Sequence, residues 1–213
     1  MTDSETGARA DLVPVHGGLD ELVDRRVPLA ARSRFVAEAE RLPSVRVTRA
    51  DLSTVYRISD GALSPLEGPM RADVWNRVLD ERCIEVGGRR FAWAIPLSLP
   101  VTPDEASSVS PGGSAALRDE SGTLVAIVDE IDVFDWDKAR YIEKVYRTDR
   151  FDHPGGRAVE SDPRTHLIGG ALRVLPQPVD PDYGEYMLSP RLVRAFIRER
   201  KWERALAFQT RNP

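Results

Sequence analysis

Apolar positions along the chain change period several times, and each change marks an element. Leu29, Phe35, Val36 and Ala39 recur at helical spacing until Pro43, predicting one amphipathic helix. Asp73 is placed to cap a second helix, with Val74, Trp75, Val78 and Leu79 on one face. The period then drops to two: Cys83 to Val86, the pair Gly87-Gly88, and Arg89 to Ile95 predict a hairpin, because adjacent glycines suit a primed two-residue turn. Thr102-Pro-Asp-Glu105 has the cap, first-turn proline and early acids of a short helix, which Pro111-Gly-Gly113 breaks. A second hairpin is predicted from Ala115 to Arg118, a turn at Asp119 to Gly122, and a long strand from Thr123 through Val128 toward Phe134. Lys138 to Thr148 reads as a helix with Ile142, Val145 and Tyr146 inward, and Thr165 to Leu175 as a strand whose Gly169-Gly170 marks a bulge or a close backbone contact.

Pro176, Pro178 and Pro181 then mark a boundary. Beyond it Ser189 caps a helix with Pro190 at its first position, Leu192, Val193, Phe196 and Ile197 as its inward face, and Arg198, Arg200 and Lys201 toward its carboxyl end. Ala205 to Phe208 is a short unbroken apolar run of the kind found in central parallel strands. Gln209, Thr210, Arg211 and Asn212 would sit at that strand's carboxyl end, the edge where open α/β sheets bind ligands. Their amide, hydroxyl and guanidinium groups suit an anion such as sulfate or phosphate, and no general base or nucleophile accompanies them.

Composition narrows the classes. At 213 residues, one full domain and part of another is the expected content. The 30 basic and 34 acidic residues are well mixed, so the net charge of -4 gives no field for collecting nucleic acid or acidic membranes. No apolar run reaches the roughly 18 residues of a membrane span, and Met1 to Asp11 lacks a signal-peptide layout, which predicts a cytoplasmic protein. Cys83 is the lone cysteine, so no intramolecular disulfide forms; it reads as a small buried hydrophobe. The acids Asp129, Glu130, Asp132, Asp135 and Asp137 alternate with apolar residues and lack the glycine of a calcium loop, so they read as the wet face of a strand and no metal site is expected. The seven cations between Arg191 and Arg211 read as helix C-terminal charges rather than a nucleic-acid stripe. His16 and His153 each stand beside turn-forming residues and read as structural.

Several stretches together resemble one family. Phe208-Gln-Thr-Arg-Asn-Pro213, preceded by Ser189-Pro-Arg-Leu-Val-Arg and Trp202, resembles the start of the catalytic domain of ATP sulfurylases (sulfate adenylyltransferases). Val15-His-Gly-Gly18 matches that family's Pro-His-Gly-Gly in part. Gly61-Ala-Leu-Ser-Pro-Leu-Glu-Gly-Pro-Met70 resembles its Gly-Ala-Phe-Ser-Pro-Leu-x-Gly-Phe-Met, with Leu63 and Pro69 for the two aromatics. Trp93-Ala-Ile-Pro-Leu97 resembles Trp-Pro-Ile-Pro-Ile, and Val145 to Gly155 resembles Val-Tyr-Gly-Thr-x-Asp-x-x-His-Pro-Gly with Arg147 for the glycine.

The resemblance implies an α+β chain: a PUA-like mixed β-barrel or sheet domain with flanking helices over residues 1–178, then the start of a Rossmann-like α/β nucleotidyltransferase domain over 179–213. It implies adenylyl transfer from ATP, supplied with Mg2+, to sulfate, with Gln209 and Arg211 at sulfate and Thr210 and Asn212 near the phosphates. It also implies that the rest of the catalytic domain, with a His-x-x-His motif, lies beyond this sequence, so that no catalytic set is complete here and the chain alone is expected to be inactive. A homo-oligomer is among the assemblies the resemblance allows. The alternatives are a free-standing PUA-like RNA-binding module, which the acidic balance disfavours, and a scaffold subunit of a split enzyme.

Overall fold

The computed structural model describes residues 12–148 and 153–208. A five-stranded mixed sheet of order β1-β5-β6-β7-β4 organises them: β1 (Ser44–Arg46), β4 (Leu99–Val101), β5 (Ala115–Arg118), β6 (Leu124–Asp135) and β7 (His166–Val174). Only β1 and β5 run parallel; the other pairs are antiparallel. A separate hairpin is formed by β2 (Cys83–Val86) and β3 (Arg89–Ala92). Its turn glycines have φ of 56° and 73°, the doubly positive conformation that a primed turn demands. The sheet buries both faces. On one side Leu117, Val128, Leu167 and Leu172 pack with Val55, Ile58, Trp75 and Val78 from helices α2 (Arg49–Ser59) and α3 (Ala72–Glu81). On the other, Ala116 and Ile127 meet Val27, Phe35 and Ala39, the last two from α1 (Arg32–Ala39).

The remaining helices are α4 (Pro103–Ser108), α5 (Lys138–Tyr141), α6 (Pro154–Ser161) and α7 (Pro190–Glu199). Thr102 and Glu105 form a reciprocal capping box on α4. The helix expected over 138–148 is α for one turn and then widens to a π turn, Ile142–Tyr146, ending at Arg147 with φ of 59°. Four of the strands and α-helices escaped the sequence reading: β1 and β4, α6, and α2, whose Thr48 and Asp51 make another capping box.

The glycine pair of β7 marks both a bulge and a close contact. Register slips between Asp129 and Asp132 of β6, where Glu130 takes φ of 52° and bonds Arg71 at 2.6 Å. The loop 61–70 lies directly on β7: the Gly170 amide donates to the Pro69 carbonyl and the Leu172 amide to the Glu67 carbonyl, each at 2.9 Å. A β-carbon on Gly169 would fall 2.3 Å from the Met70 carbonyl oxygen. The loop therefore acts as an irregular extra layer on the central sheet, which explains Gly68, whereas Gly61 is required by its φ of 87° and by the Val23 carbonyl oxygen, 2.6 Å from where a β-carbon would lie.

The final segment differs from expectation. The run Ala205 to Phe208 forms no strand, and Leu206 and Phe208 are 96% and 87% exposed. A strand needs a neighbour to pair with its backbone groups, and none of the described strands lies alongside it. Beyond residue 178 the described residues form only a 3-10 turn, Gly184–Tyr186, and α7, and the predicted inward residues Leu192, Val193 and Phe196 face outward from the sheet's two cores.

Candidate functional site

The four expected anion-binding residues, Gln209, Thr210, Arg211 and Asn212, lie outside the described residues. What can be built is the approach to them. Ser189 accepts from the Leu192 amide at 3.4 Å and Pro190 occupies the first turn, so α7 starts where the sequence predicts. It ends with the Trp202 amide folded back on the Ile197 carbonyl at 3.1 Å, and the Arg200 guanidinium lies 5.8 Å from the Phe196 ring centre and 5.3 Å from that of Trp202. One contact ties the helix back to the amino-terminal segment: Arg194 donates to the Val13 carbonyl at 3.0 Å. Met187, Leu188, Leu192, Val193, Phe196 and Trp202 leave an apolar face uncovered.

The acidic run is used internally. Asp129 accepts from Arg173 and from the Ser114 hydroxyl; burial alone would raise its carboxyl, but those bonds hold it below the ordinary aspartate range. Asp132 accepts from the Ala72 amide at 2.8 Å at the start of α3, and Asp137 from the Arg140 amide at 3.0 Å at the start of α5. Asp135 sits 3.4 Å from His166. Among the described residues no group of histidine, cysteine and acidic side chains could hold a metal ion.

The histidines also have structural work. His16 Nε2 lies 2.9 Å from the Ala92 carbonyl, with its ring against Phe91 and Trp93. His153 Nδ1 accepts from the amides of Gly155 and Gly156, capping α6, and its ring lies 4.6 Å from that of Tyr146. Cys83 is buried, with its sulfur 3.3 Å from Arg90 Nε. No helix of the described residues is long and apolar enough to cross a membrane.

Sequence reasoning did not foresee a groove of about 460 Å³ between residues 24–28, α1 and β7. Arg25, Arg26, Arg34 and Arg173 line it. Arg173 bridges Glu38 and Asp129 at 2.7 Å each, which raises the guanidinium further above its ordinary value and lowers the Glu38 carboxyl. Arg173 is far in sequence from Arg25, Arg26 and Arg34, so only the folding of 24–28 along β7 brings all four together.

Comparison with known proteins bears on this arrangement. A family described as PUA-like domain matches residues 13–177, the stretch that holds the whole five-stranded sheet and both of its cores. The chain belongs to the PUA-like domain family. Relatives of this PUA-like chain include a sulfate adenylyltransferase from Pyropia yezoensis, 42% identical over 96% of this chain and 47% of its own length. A probable bifunctional SAT/APS kinase 2 from Sorangium cellulosum is 37% identical over 97% of this chain and 34% of its own length. Among solved structures, the PUA-like chain is similar to a hexameric APS kinase from Thiobacillus denitrificans, with a TM-score of 0.66 and 25% identity over 90% of this chain and 32% of that one. The chain thus spans about half, or less, of the length of the relatives it matches.

Proposed function

We propose that this chain is the PUA-like part of a sulfate adenylyltransferase, over residues 1–178, followed over 179–213 by the opening of its Rossmann-like catalytic domain. The reaction would join sulfate to the AMP part of ATP and release pyrophosphate. The carrying observation is the similarity to the Pyropia yezoensis protein, which runs through 96% of this chain, past the PUA-like match and into the α7 region. The uncovered apolar face of α7 supports the same reading, since a domain-opening helix needs the rest of its domain to cover it.

The chemistry suits the residues expected at the chain's end. Sulfate is a weak nucleophile that stays deprotonated at neutral pH, so catalysis requires two anions to be held together and the charge growing at the α-phosphate to be stabilised. Gln209 and Arg211 would hold sulfate, the guanidinium spanning two of its oxygens, while Thr210 and Asn212 would donate to the phosphates of ATP, which brings Mg2+ with it as substrate. In this reading Ala205 to Phe208 becomes a strand only when neighbouring strands of the catalytic domain flank it. Assembly into a homo-oligomer and a cytoplasmic setting belong to the same proposal.

The remaining half of the relatives' length would supply the other donors. Losing one preorganised donor costs roughly 3 to 4 kcal/mol of transition-state stabilisation. The 213-residue chain assayed by itself for sulfate-dependent exchange between ATP and pyrophosphate should therefore show no turnover above background. Turnover by the chain alone would refute the need for a second half.

A further inference from the structure

We propose that the arginine-lined groove between residues 24–28, α1 and β7 is a binding site for a phosphate-type oxyanion, separate from the residues at the chain's end. Arg25, Arg26, Arg34 and Arg173 line it with Asp24 and Glu38. Counting Asp129 and Glu67, which pair with Arg173 and Arg25, four guanidinium groups meet four carboxylates, and Arg34 is the one with no carboxylate bonded to it among the described residues. Arg191 of α7 also acts on Asp24 through its charge, which adds a cation close to the groove.

The donors are unequally committed. Arg173 spends its nitrogens on Glu38 and Asp129, at distances from 2.7 to 2.9 Å, and Arg26 is held by Asp24 at 2.5 and 2.9 Å. These two form a fixed, charged wall. Arg25 gives its Nε to the Leu172 carbonyl at 2.7 Å, whereas its Nη1 reaches the exposed Glu67 at only 3.4 Å. The Arg34 side chain makes no hydrogen bond or ion pair with any described residue, and its charge acts on Glu38. An incoming oxyanion can therefore take Arg34 and the terminal nitrogens of Arg25 without breaking an interaction the fold depends on. A guanidinium fork fits two oxygens of such an anion.

Size and lining agree with a small ligand. A volume of about 460 Å³ lies within the usual range of small-molecule sites, roughly 300 to 1,000 Å³. Val27, Pro28, Ala31 and Leu172 add apolar lining beside the guanidinium groups. That combination accepts either an inorganic oxyanion or a phosphate ester with an apolar body, the shared chemistry being the tetrahedral charged head.

The test is thermal unfolding of the full chain titrated with inorganic pyrophosphate in one arm and adenosine 5′-monophosphate in the other. The expected result is a saturable rise in melting temperature, roughly 3 to 6 °C at about ten times Kd, that shrinks as sodium chloride is raised. A stronger response to the monophosphate would assign the apolar lining to an organic body, and a stronger response to pyrophosphate would assign the site to inorganic anions. Arg34→Glu should weaken binding at least tenfold while lowering the melting temperature of the free protein by no more than about 2 °C, since the Arg34 side chain is exposed, bonds to no described residue, and the reversed charge repels only Glu38 one turn on. Arg211→Ala should leave the response intact. No shift with either probe, an unchanged response in Arg34→Glu, or a response abolished by Arg211→Ala would each overturn the assignment. The last two would place the anion elsewhere without touching the proposed enzymatic reading.

Discussion

Gly68→Ala should destabilise the chain by roughly 3 kcal/mol or more, the upper end of what overpacking produces. The added carbon would lie 1.8 Å from the Gly170 carbonyl oxygen and 3.0 Å from the Ala171 α-carbon. Both are backbone atoms of a central strand, held at Ala171 by its pairing with Asp129 of β6, so neither can swing aside as a flexible side chain would. The loop 61–70 would have to lift from β7, losing the amide bonds from Gly170 and Leu172 and uncovering Leu66 and Met70. Urea unfolding compares it with Gly87→Ala, which has open space around the new carbon and suffers only from its φ of 56°, at about 1 kcal/mol. If Gly68→Ala stays within about 0.5 kcal/mol of the parent, the loop does not rest on the strand as described.

Arg164→Met is expected to cost about 3 kcal/mol at neutral pH, because it strands two carboxylates in a low-exposure site. Arg164 is 14% exposed and contacts Asp51 at 2.7 Å and Asp162 at 2.6 Å, themselves 11% and 16% exposed. It links the start of α2 to the approach of β7 and also reaches the Pro100 carbonyl of β4. Burial by itself would raise the Asp162 carboxyl, yet the Arg164 bonds outweigh it and hold the group below its ordinary value. A carboxylate depressed in the folded state stabilises the fold above its unfolded pKa, about 3.9, and that contribution is lost as pH falls through the lower folded value. The parent should therefore lose stability on the acid side below about pH 4. In Arg164→Met the depression disappears and acidification relieves the stranded charges, so its deficit relative to the parent should narrow toward pH 3. Denaturant titrations at pH 7 and pH 3 measure both; an equal deficit at the two values would mean that charge is not the cause.

The fold's regular parts were legible because their signals are local. Gly87-Gly88 could only be a tight reversal between two alternating runs, and Asp119 to Gly122 closes the second hairpin with the Asp119 carboxylate accepting from the Ser121 and Thr123 amides. The acids of β6 alternate with apolar residues, as a strand leaving the core requires. The three-residue strands β1 and β4 are too short to show any period. α2 was missed although Leu52, Val55 and Tyr56 keep helical spacing behind Thr48; that capping signal could have found it. α6 hid behind an unusual cap, the His153 ring.

The groove and the chain's end were illegible for other reasons. Arg25, Arg34 and Arg173 converge through tertiary packing, which no window of sequence contains. Ala205 to Phe208 has the composition of a buried strand, and composition sets what a segment wants to bury, not whether its neighbours are there. The same holds for α7, whose apolar stripe predicted an inward face that the PUA-like domain does not cover.

The proposed oxyanion cradle at the chain's end turns on Arg211. The decisive measurement is sulfate-dependent exchange between ATP and pyrophosphate by this chain joined to the remaining half of the Pyropia yezoensis relative, with and without Arg211→Ala. The account predicts exchange in the joined protein and a fall of about a hundredfold or more in the variant, as for loss of one preorganised oxyanion donor. Exchange that proceeds at the same rate without the Arg211 guanidinium would contradict it.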